Sequence, residues 1–96
     1  MQDDRISIEP FPARKGQNVN IAYRGLLARS GADRVYLHYG HDGWQSPVTI
    51  AMNWQPDGSA MATIPCNAQR EINFCFKDSA NNWDNNSGWN WKCDVV

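Results

Sequence analysis

The chain has 96 residues, and its nine lysine and arginine side chains nearly balance ten aspartates and glutamates, giving a formal net charge of −1. This balance gives no electrostatic reason to expect binding to nucleic acid or to an anionic membrane surface. No apolar run approaches the length of a membrane span, so no membrane helix is predicted. The length favours one domain, which we expect to occupy residues 1–96.

The first ten residues, MQDDRISIEP, contain acidic side chains and lack the apolar segment of a signal peptide. They predict a cytoplasmic protein if the chain is complete. A secreted protein is the alternative if the chain is a domain excised from a larger parent.

The chain contains three cysteines, Cys66, Cys75 and Cys93, and no C-x-x-C pair. An odd number does not form a closed disulfide framework, and the missing pair argues against a zinc ribbon. We therefore expect three reduced thiols, with one disulfide plus a free thiol as the alternative.

Alternation of apolar and polar residues with period two predicts about seven short strands. In chain order they are RISIEPF (5–11), NVNIAYRG (18–25), RVYLHYG (34–40), PVTIAMNW (47–54), AMATIP (60–65), REINFCFKD (70–78) and GWNWKCDVV (88–96). Segments rich in Gly, Pro, Asn and Asp separate these runs and predict turns. No stretch predicts a convincing helix, so the fold class is all-β, a two-sheet β-sandwich.

The alternation also predicts which side chains enter the core between the sheets. The inward set is β-branched, aliphatic or aromatic: Ile21, Tyr23, Val35, Leu37, Tyr39, Val48, Ile50, Ile72, Phe74 and Phe76. We expect Trp89 and Trp91 to share one face of the last strand and pack there, and Trp54 to lie in the core or at its edge.

Several aromatic rings remain outside this core: His38 on an outward strand position, Trp44 in the loop GHDGWQSP and Trp83 in the loop NNWDNN. Polar side chains surround them in the sequence: Lys77, Asp78, Asn82, Asp84, Asn85 and Asn86. Flat aromatic rings ringed by amides and carboxylates suit a sugar, which offers a C–H face and a rim of hydroxyl groups. The alternative is that Trp44 and Trp83 are loop plugs that pin their loops to the sandwich.

Metal and catalytic sites receive less support from the sequence. His38 and His41 are three apart, a spacing that does not converge on a metal from a strand and turn. DNNSG (84–88) resembles the start of a calcium loop but lacks the later acidic residue. We expect no cofactor, although oxygens of Asp78, Asn82, Asp84 and Asn86 leave a structural calcium ion as an alternative. No elbow motif or placed carboxylate pair is present, so we do not expect an enzyme.

Two segments, VYLHYGHDGWQ (35–45) and INFCFKDSANNWDNNSGWNW (72–91), resemble the starch-binding modules of carbohydrate-binding module family 25 and their relatives in plant starch synthases, family 53. A His-Tyr-Gly strand end, a loop tryptophan and an NWDNN loop occur in the family's order over Val35 to Trp91. The resemblance implies an immunoglobulin-like β-sandwich that binds α-1,4-glucans. It also implies a sugar platform made by His38, Trp44 and Trp83, and we add Lys77, Asp84, Asn85 and Asn86 as hydroxyl contacts.

We therefore predict a non-catalytic module that binds starch, amylose, maltooligosaccharides or glycogen by stacking sugar rings on exposed tryptophans. Its partners would be an α-glucan polysaccharide and the catalytic domain of a parent glucan-active enzyme, with no nucleic acid and no membrane. The alternative is an immunoglobulin-like interaction or structural domain whose exposed aromatic residues contact a partner chain.

Overall fold

The computed structural model describes residues 4–96, which form nine β-strands and one short helix. The strands are β1 Ile6–Glu9, β2 Asn18–Tyr23, β3 Val35–His41, β4 Gln45–Ala51, β5 Asn53–Trp54, β6 Ala60–Pro65, β7 Glu71–Asp78, β8 Trp83–Asp84 and β9 Trp91–Asp94. Helix α1, Leu26–Arg29, is a single turn that the sequence did not predict. No helix within residues 4–96 has the length and apolar character needed to cross a membrane.

The strands form two antiparallel sheets that pack as a small β-sandwich, which confirms the predicted all-β fold class. One sheet has the order β1-β2-β6-β5, and the other has the order β4-β3-β7-β8, with β9 also paired to β7. This is the strand order of an immunoglobulin-like sandwich with one added edge strand, here β4. Two-residue strands β5 and β8 account for the excess over the predicted number of about seven.

The core lies between the sheets and contains most of the side chains that alternation assigns to it. Buried as predicted are Ile21, Tyr23, Val35, Leu37, Tyr39, Ile72, Phe74 and Phe76. The rings of Tyr23 and Phe76 stack across the two sheets with centroids 4.1 Å apart. The prediction for Val48 is wrong because it is 42% exposed, and Ile50 is only partly buried. Both lie on edge strand β4, which the opposite sheet does not cover along most of its length.

The predicted strand 47–54 is split between the two sheets. It ends in one sheet at Ala51, passes through buried Met52, and resumes in the other sheet as β5. The backbone N–H of Met52 donates to the carbonyl of Val35, which holds the crossing point against β3. Trp54 therefore lies on an edge strand, 42% exposed, with its indole N–H donating to the carbonyl of Asp33 at 3.1 Å.

The last predicted strand begins three residues later than expected, and this corrects the placement of Trp89. β9 starts at Trp91, which is 1% exposed and contacts the rings of Phe74 and Phe76. Trp89 is 85% exposed and lies in the preceding turn, so it does not pack as predicted. Backbone hydrogen bonds within residues 85–90 close this turn and lift Trp89 away from the sheet.

The three cysteines are unpaired and buried. Cys66 follows β6, and Cys93 lies on the inward face of β9 with no exposed surface. Cys75 lies on the outward face of β7 but is only 5% exposed, so neighbouring residues on that face shield it from solvent.

Candidate functional site

The outward face of the five-stranded sheet carries two transverse rows of side chains that the strand register aligns. In one row, His38 on β3 lies opposite Thr49 on β4 and Cys75 on β7. In the next row, Tyr36 lies opposite Lys77, and Lys77 lies opposite Trp83 on β8. The register thus brings Trp83 within two strands of His38, some forty-five residues earlier in the chain, with β7 between them.

Three predicted site residues, His38, Trp44 and Trp83, form one aromatic cluster on this face. The His38 ring stacks on Trp44 with centroids 5.5 Å apart and an interplanar angle of 23°. The same ring meets Trp83 edge-on, again at 5.5 Å, with an angle of 83°. The two indoles are therefore steeply inclined to each other, with His38 between them, and Trp83 is 48% exposed.

The backbone at Trp44 is held by a residue that the sequence reasoning did not select. The side-chain oxygen of Asn73 accepts the N–H groups of Gly43 and Trp44 at 2.9 and 3.0 Å. Asn73 is 8% exposed, and its amide nitrogen donates to Glu71 at 2.7 Å, so its orientation is determined. Its position between Ile72 and Phe74, on the outward parity of a core strand, was the available signal.

Close backbone packing also constrains the turn that carries Trp44. Trp44 has φ of +70°, in the left-handed region that is costly for residues with a side chain. A Cβ atom at Gly40 would lie 2.8 Å from the Cα of Trp44, so only glycine fits beneath it. Gly40 of the His-Tyr-Gly segment is thus required by the approach of the turn to β3.

Asp42 fastens the same turn to the loop before β7. Its carboxylate accepts the backbone N–H groups of Gln69, Arg70 and Glu71 at 3.0, 2.7 and 3.2 Å. The hydrogen bonds from Gln69 and Arg70 lower the pKa of Asp42 below its ordinary value. A carboxylate used in this way stabilises the loop and is not poised for proton transfer.

Asp78 stabilises the turn between β7 and β8 in the same way, and Trp83 follows this turn. Its carboxylate accepts the side-chain amide and the backbone N–H of Asn82, both at 2.9 Å, and the N–H of Ala80 at 2.9 Å. Hydrogen bonds from the Asn82 side chain and backbone lower the pKa of Asp78. The turn ends at β8, which places Trp83 on the outward face.

Lys77 joins the cluster, whereas Asp84 faces the other way. The Lys77 ammonium lies 5.8 Å from the centroid of Trp83 and 5.3 Å from that of Tyr36. Asp84 follows Trp83 on β8, so alternation points it inward, where it accepts a hydrogen bond from the hydroxyl of Tyr23. Burial, together with this hydrogen bond from its hydroxyl to Asp84, raises the pKa of Tyr23 above its ordinary value.

The two asparagines of the predicted site serve the turn before β9. Asn86 accepts a hydrogen bond from Arg5 at 2.9 Å and donates to the carbonyl of Asn90 at 3.1 Å. The side-chain oxygen of Asn85 accepts the N–H of Gly88 at 3.0 Å, which leaves its amide nitrogen facing no protein acceptor in the part of the chain described.

No enclosed pocket and no group of three or more potential metal-binding His, Cys, Asp or Glu side chains occurs within residues 4–96. The Asp78 and Asp84 oxygens named for a calcium ion accept protein hydrogen bonds in separate places. The arrangement is an open aromatic surface flanked by hydrogen-bonding groups. Such a surface is suited to contact the side of an extended ligand and does not enclose it.

The sequence profile of the starch/carbohydrate-binding module family 53 matches residues 19–74, more than half of the chain. The chain belongs to this family. The matched segment contains His38 and Trp44 and ends before Lys77 and Trp83. Membership favours a non-catalytic carbohydrate-binding role over an enzymatic one.

A curated relative, an alpha-amylase of Clostridium acetobutylicum, is 36% identical over 89 residues, which is 91% of this chain. The chain spans only 11% of that amylase's length. The comparison with solved structures finds no significant match.

Proposed function

We propose that the module binds α-1,4-glucan chains, such as starch, amylose, maltooligosaccharides or glycogen, by stacking glucose rings on Trp44 and Trp83. The observation that carries this proposal is the pair of steeply inclined indoles bridged by His38 on an open sheet face. An α-glucan is a curved chain, so consecutive rings present their C–H faces in different directions. Two inclined aromatic planes are complementary to such a ligand, whereas a flat ribbon polymer would require coplanar rings.

The polar groups at the rim of the cluster would hold the sugar hydroxyls. The Nδ1 atom of His38 lies 2.7 Å from the hydroxyl oxygen of Thr49, so Nε2 is the ring nitrogen left for a ligand. Lys77 supplies an ammonium beside Trp83, and Asn85 supplies its amide nitrogen. Hydroxyl groups donate and accept hydrogen bonds, so both a lysine and a histidine suit them.

Asp84 and Asn86 would support the site indirectly. Asp84 binds Tyr23 in the core, and Asn86 joins Arg5 to the carbonyl of Asn90. In this arrangement both residues stabilise β8 and the turn after it, and thereby the position of Trp83.

Binding through the partly buried Trp44 and the exposed Trp83 is expected to be weak and reversible. A stacked aromatic contributes about 1 kcal/mol beyond the area that it buries, and the cost of immobilising the ligand consumes much of the total. We expect multivalency on a polymer to strengthen retention. In the setting that the amylase relative suggests, the module would hold a catalytic domain on its glucan.

Native electrophoresis through gels with and without soluble starch or glycogen tests the proposal. We expect retardation of the wild type, and loss of retardation in Trp44→Ala and Trp83→Ala with little change in thermal unfolding. Trp54→Ala is the matched control for Trp83→Ala, because Trp54 is 42% exposed, close to the 48% of Trp83, but lies in the other sheet. Unchanged wild-type mobility relative to an inert protein would overturn the proposal. A drop of several degrees in the melting temperature of either variant would instead indicate a structural plug.

A further inference from the structure

We propose that Tyr36 is a positioning residue for glucan binding, which holds the Lys77 ammonium close to the Trp83 ring. The inference rests on the proposed function and extends the site by one residue along β3. The ligand is an α-glucan, and the groups that Lys77 would contact are the hydroxyls of the glucose ring that stacks on Trp83.

The strand register places Tyr36 beside the cluster. Tyr36 lies two residues before His38, so both side chains occupy the outward face of β3. Lys77 lies directly opposite it on β7, and Ala51, a small residue, lies opposite it on β4. Tyr36 is partly buried, and its ring lies beside the Lys77 ammonium on this face.

The Lys77 ammonium lies between two aromatic rings, 5.3 Å from the centroid of Tyr36 and 5.8 Å from that of Trp83. Both distances lie within the range of cation–π attraction. No carboxylate forms an ion pair with Lys77 among residues 4–96, and Asp78, the next residue, points its oxygens into the turn at Asn82. The three N–H donors of the ammonium therefore remain for a ligand.

A lysine side chain has many rotamers, and ordering it on binding costs free energy. Two flanking rings reduce this cost because they already attract the ammonium to one place. Removing the Tyr36 ring would release Lys77 from its place beside Trp83, so Tyr36 and Lys77 should act as one unit.

Isothermal titration with maltoheptaose tests this unit in a double-mutant cycle. Tyr36→Phe keeps the ring and should bind within about twofold of the wild type. Tyr36→Leu keeps apolar bulk without a π face, and it should weaken binding about fivefold, as should Lys77→Met. The double variant should bind no more weakly than Lys77→Met alone. Trp54→Ala is the control that leaves binding unchanged.

If the two substitutions act independently, the double variant would bind about twenty-five-fold more weakly than the wild type, and this result would overturn the inference. Wild-type affinity in Tyr36→Leu would overturn it as well. These outcomes differ from failure of the proposed function, in which the wild type itself would not bind maltoheptaose and the inference would fall with it. Melting temperatures of all variants separate an effect on affinity from one on folding.

Discussion

Individual residues in this module are divided between those of the aromatic cluster, which we propose to contact a ligand, and those that hold the cluster in place. Trp44 is the clearest case, because its side chain joins the cluster while its left-handed backbone depends on Asn73 and on Gly40. Asp42 and Asp78 also belong to the supporting residues, because their carboxylates accept hydrogen bonds that hold turns in place. The position of Trp44 in the cluster thus depends on the buried Asn73 side chain beneath its turn.

Asn73→Ala should remove the acceptor for two backbone N–H groups beneath Trp44. We expect the free energy of unfolding to fall by about 1–3 kcal/mol, because two hydrogen bonds of about 0.5–1.5 kcal/mol each are lost. Glucan affinity should fall as well, since the turn would no longer hold Trp44 against His38. Urea unfolding and maltoheptaose titration measure the two effects. Wild-type affinity in a folded Asn73→Ala protein would contradict this role.

At the scale of elements, the chain from β8 to β9 behaves as one strand with an interruption. β8 pairs with β7 at Lys77 and Phe76, and β9 resumes at Phe74, so the turn 85–90 leaves the sheet at the level of Cys75. Because of the interruption, Trp89 and Trp91 do not share one packed face as the sequence predicted. One tryptophan lies in the turn and the other in the core.

This difference predicts unequal effects of the same substitution on stability. Trp91→Ala should lower the free energy of unfolding by about 3–5 kcal/mol, because it removes a fully buried ring and leaves a cavity. Trp89→Ala should change it by less than about 0.5 kcal/mol, since the indole is 85% exposed. Urea denaturation of the two variants in parallel provides the measurement. Equal losses would show that Trp89 packs in solution.

At the scale of the whole molecule, two kinds of ionisable group matter. Some carboxylates stabilise loops in their charged form, whereas some phenols and thiols are buried in their neutral form. The pKa values of Asp42 and Asp78 are lowered by hydrogen bonds from Gln69 and from Asn82. Burial raises the pKa of Tyr23 and Tyr39, and it raises the pKa of the Cys75 thiol to about 11.

The direction of these shifts predicts a stability plateau. Carboxyls with lowered pKa contribute stability that is present above their unfolded value, near 4, and is lost as pH falls through the folded pKa. Groups with raised pKa contribute stability that is present below their unfolded values, about 8.5 to 10, and is lost as pH rises further. The melting temperature should therefore be nearly constant between about pH 5 and pH 8 and fall on both sides.

Thermal unfolding in buffers from acid to alkali measures this profile. Asp42→Asn should reduce the decline on the acid side, because it removes one carboxyl that must be protonated there. A melting temperature that keeps rising below pH 4 would contradict the assignment.

Period-two alternation by itself determined the location of most strands, most of the core and the outward position of His38, because neighbouring residues on a strand must face opposite sides. The sequence predicted a loop at Trp83 and Asp84 and assigned both residues to the site. Their pairing with β7 as strand β8 puts them on opposite faces, which accounts for Asp84 binding Tyr23 in the core. Spacing and residue type were sufficient to single out Trp44 and Trp83, although they lie far apart in the chain.

Only the tertiary structure decided which strand edges are covered and where a strand changes sheets. The exposure of Val48, the crossing at Met52 and the release of Trp89 into a turn depend on contacts between distant segments, which local periodicity does not encode. The same applies to Asn73 beneath Trp44 and to Tyr36 beside Lys77, because register across three strands created those neighbours. A residue's type limits what it can contact, and the pairing of strands determines what it meets.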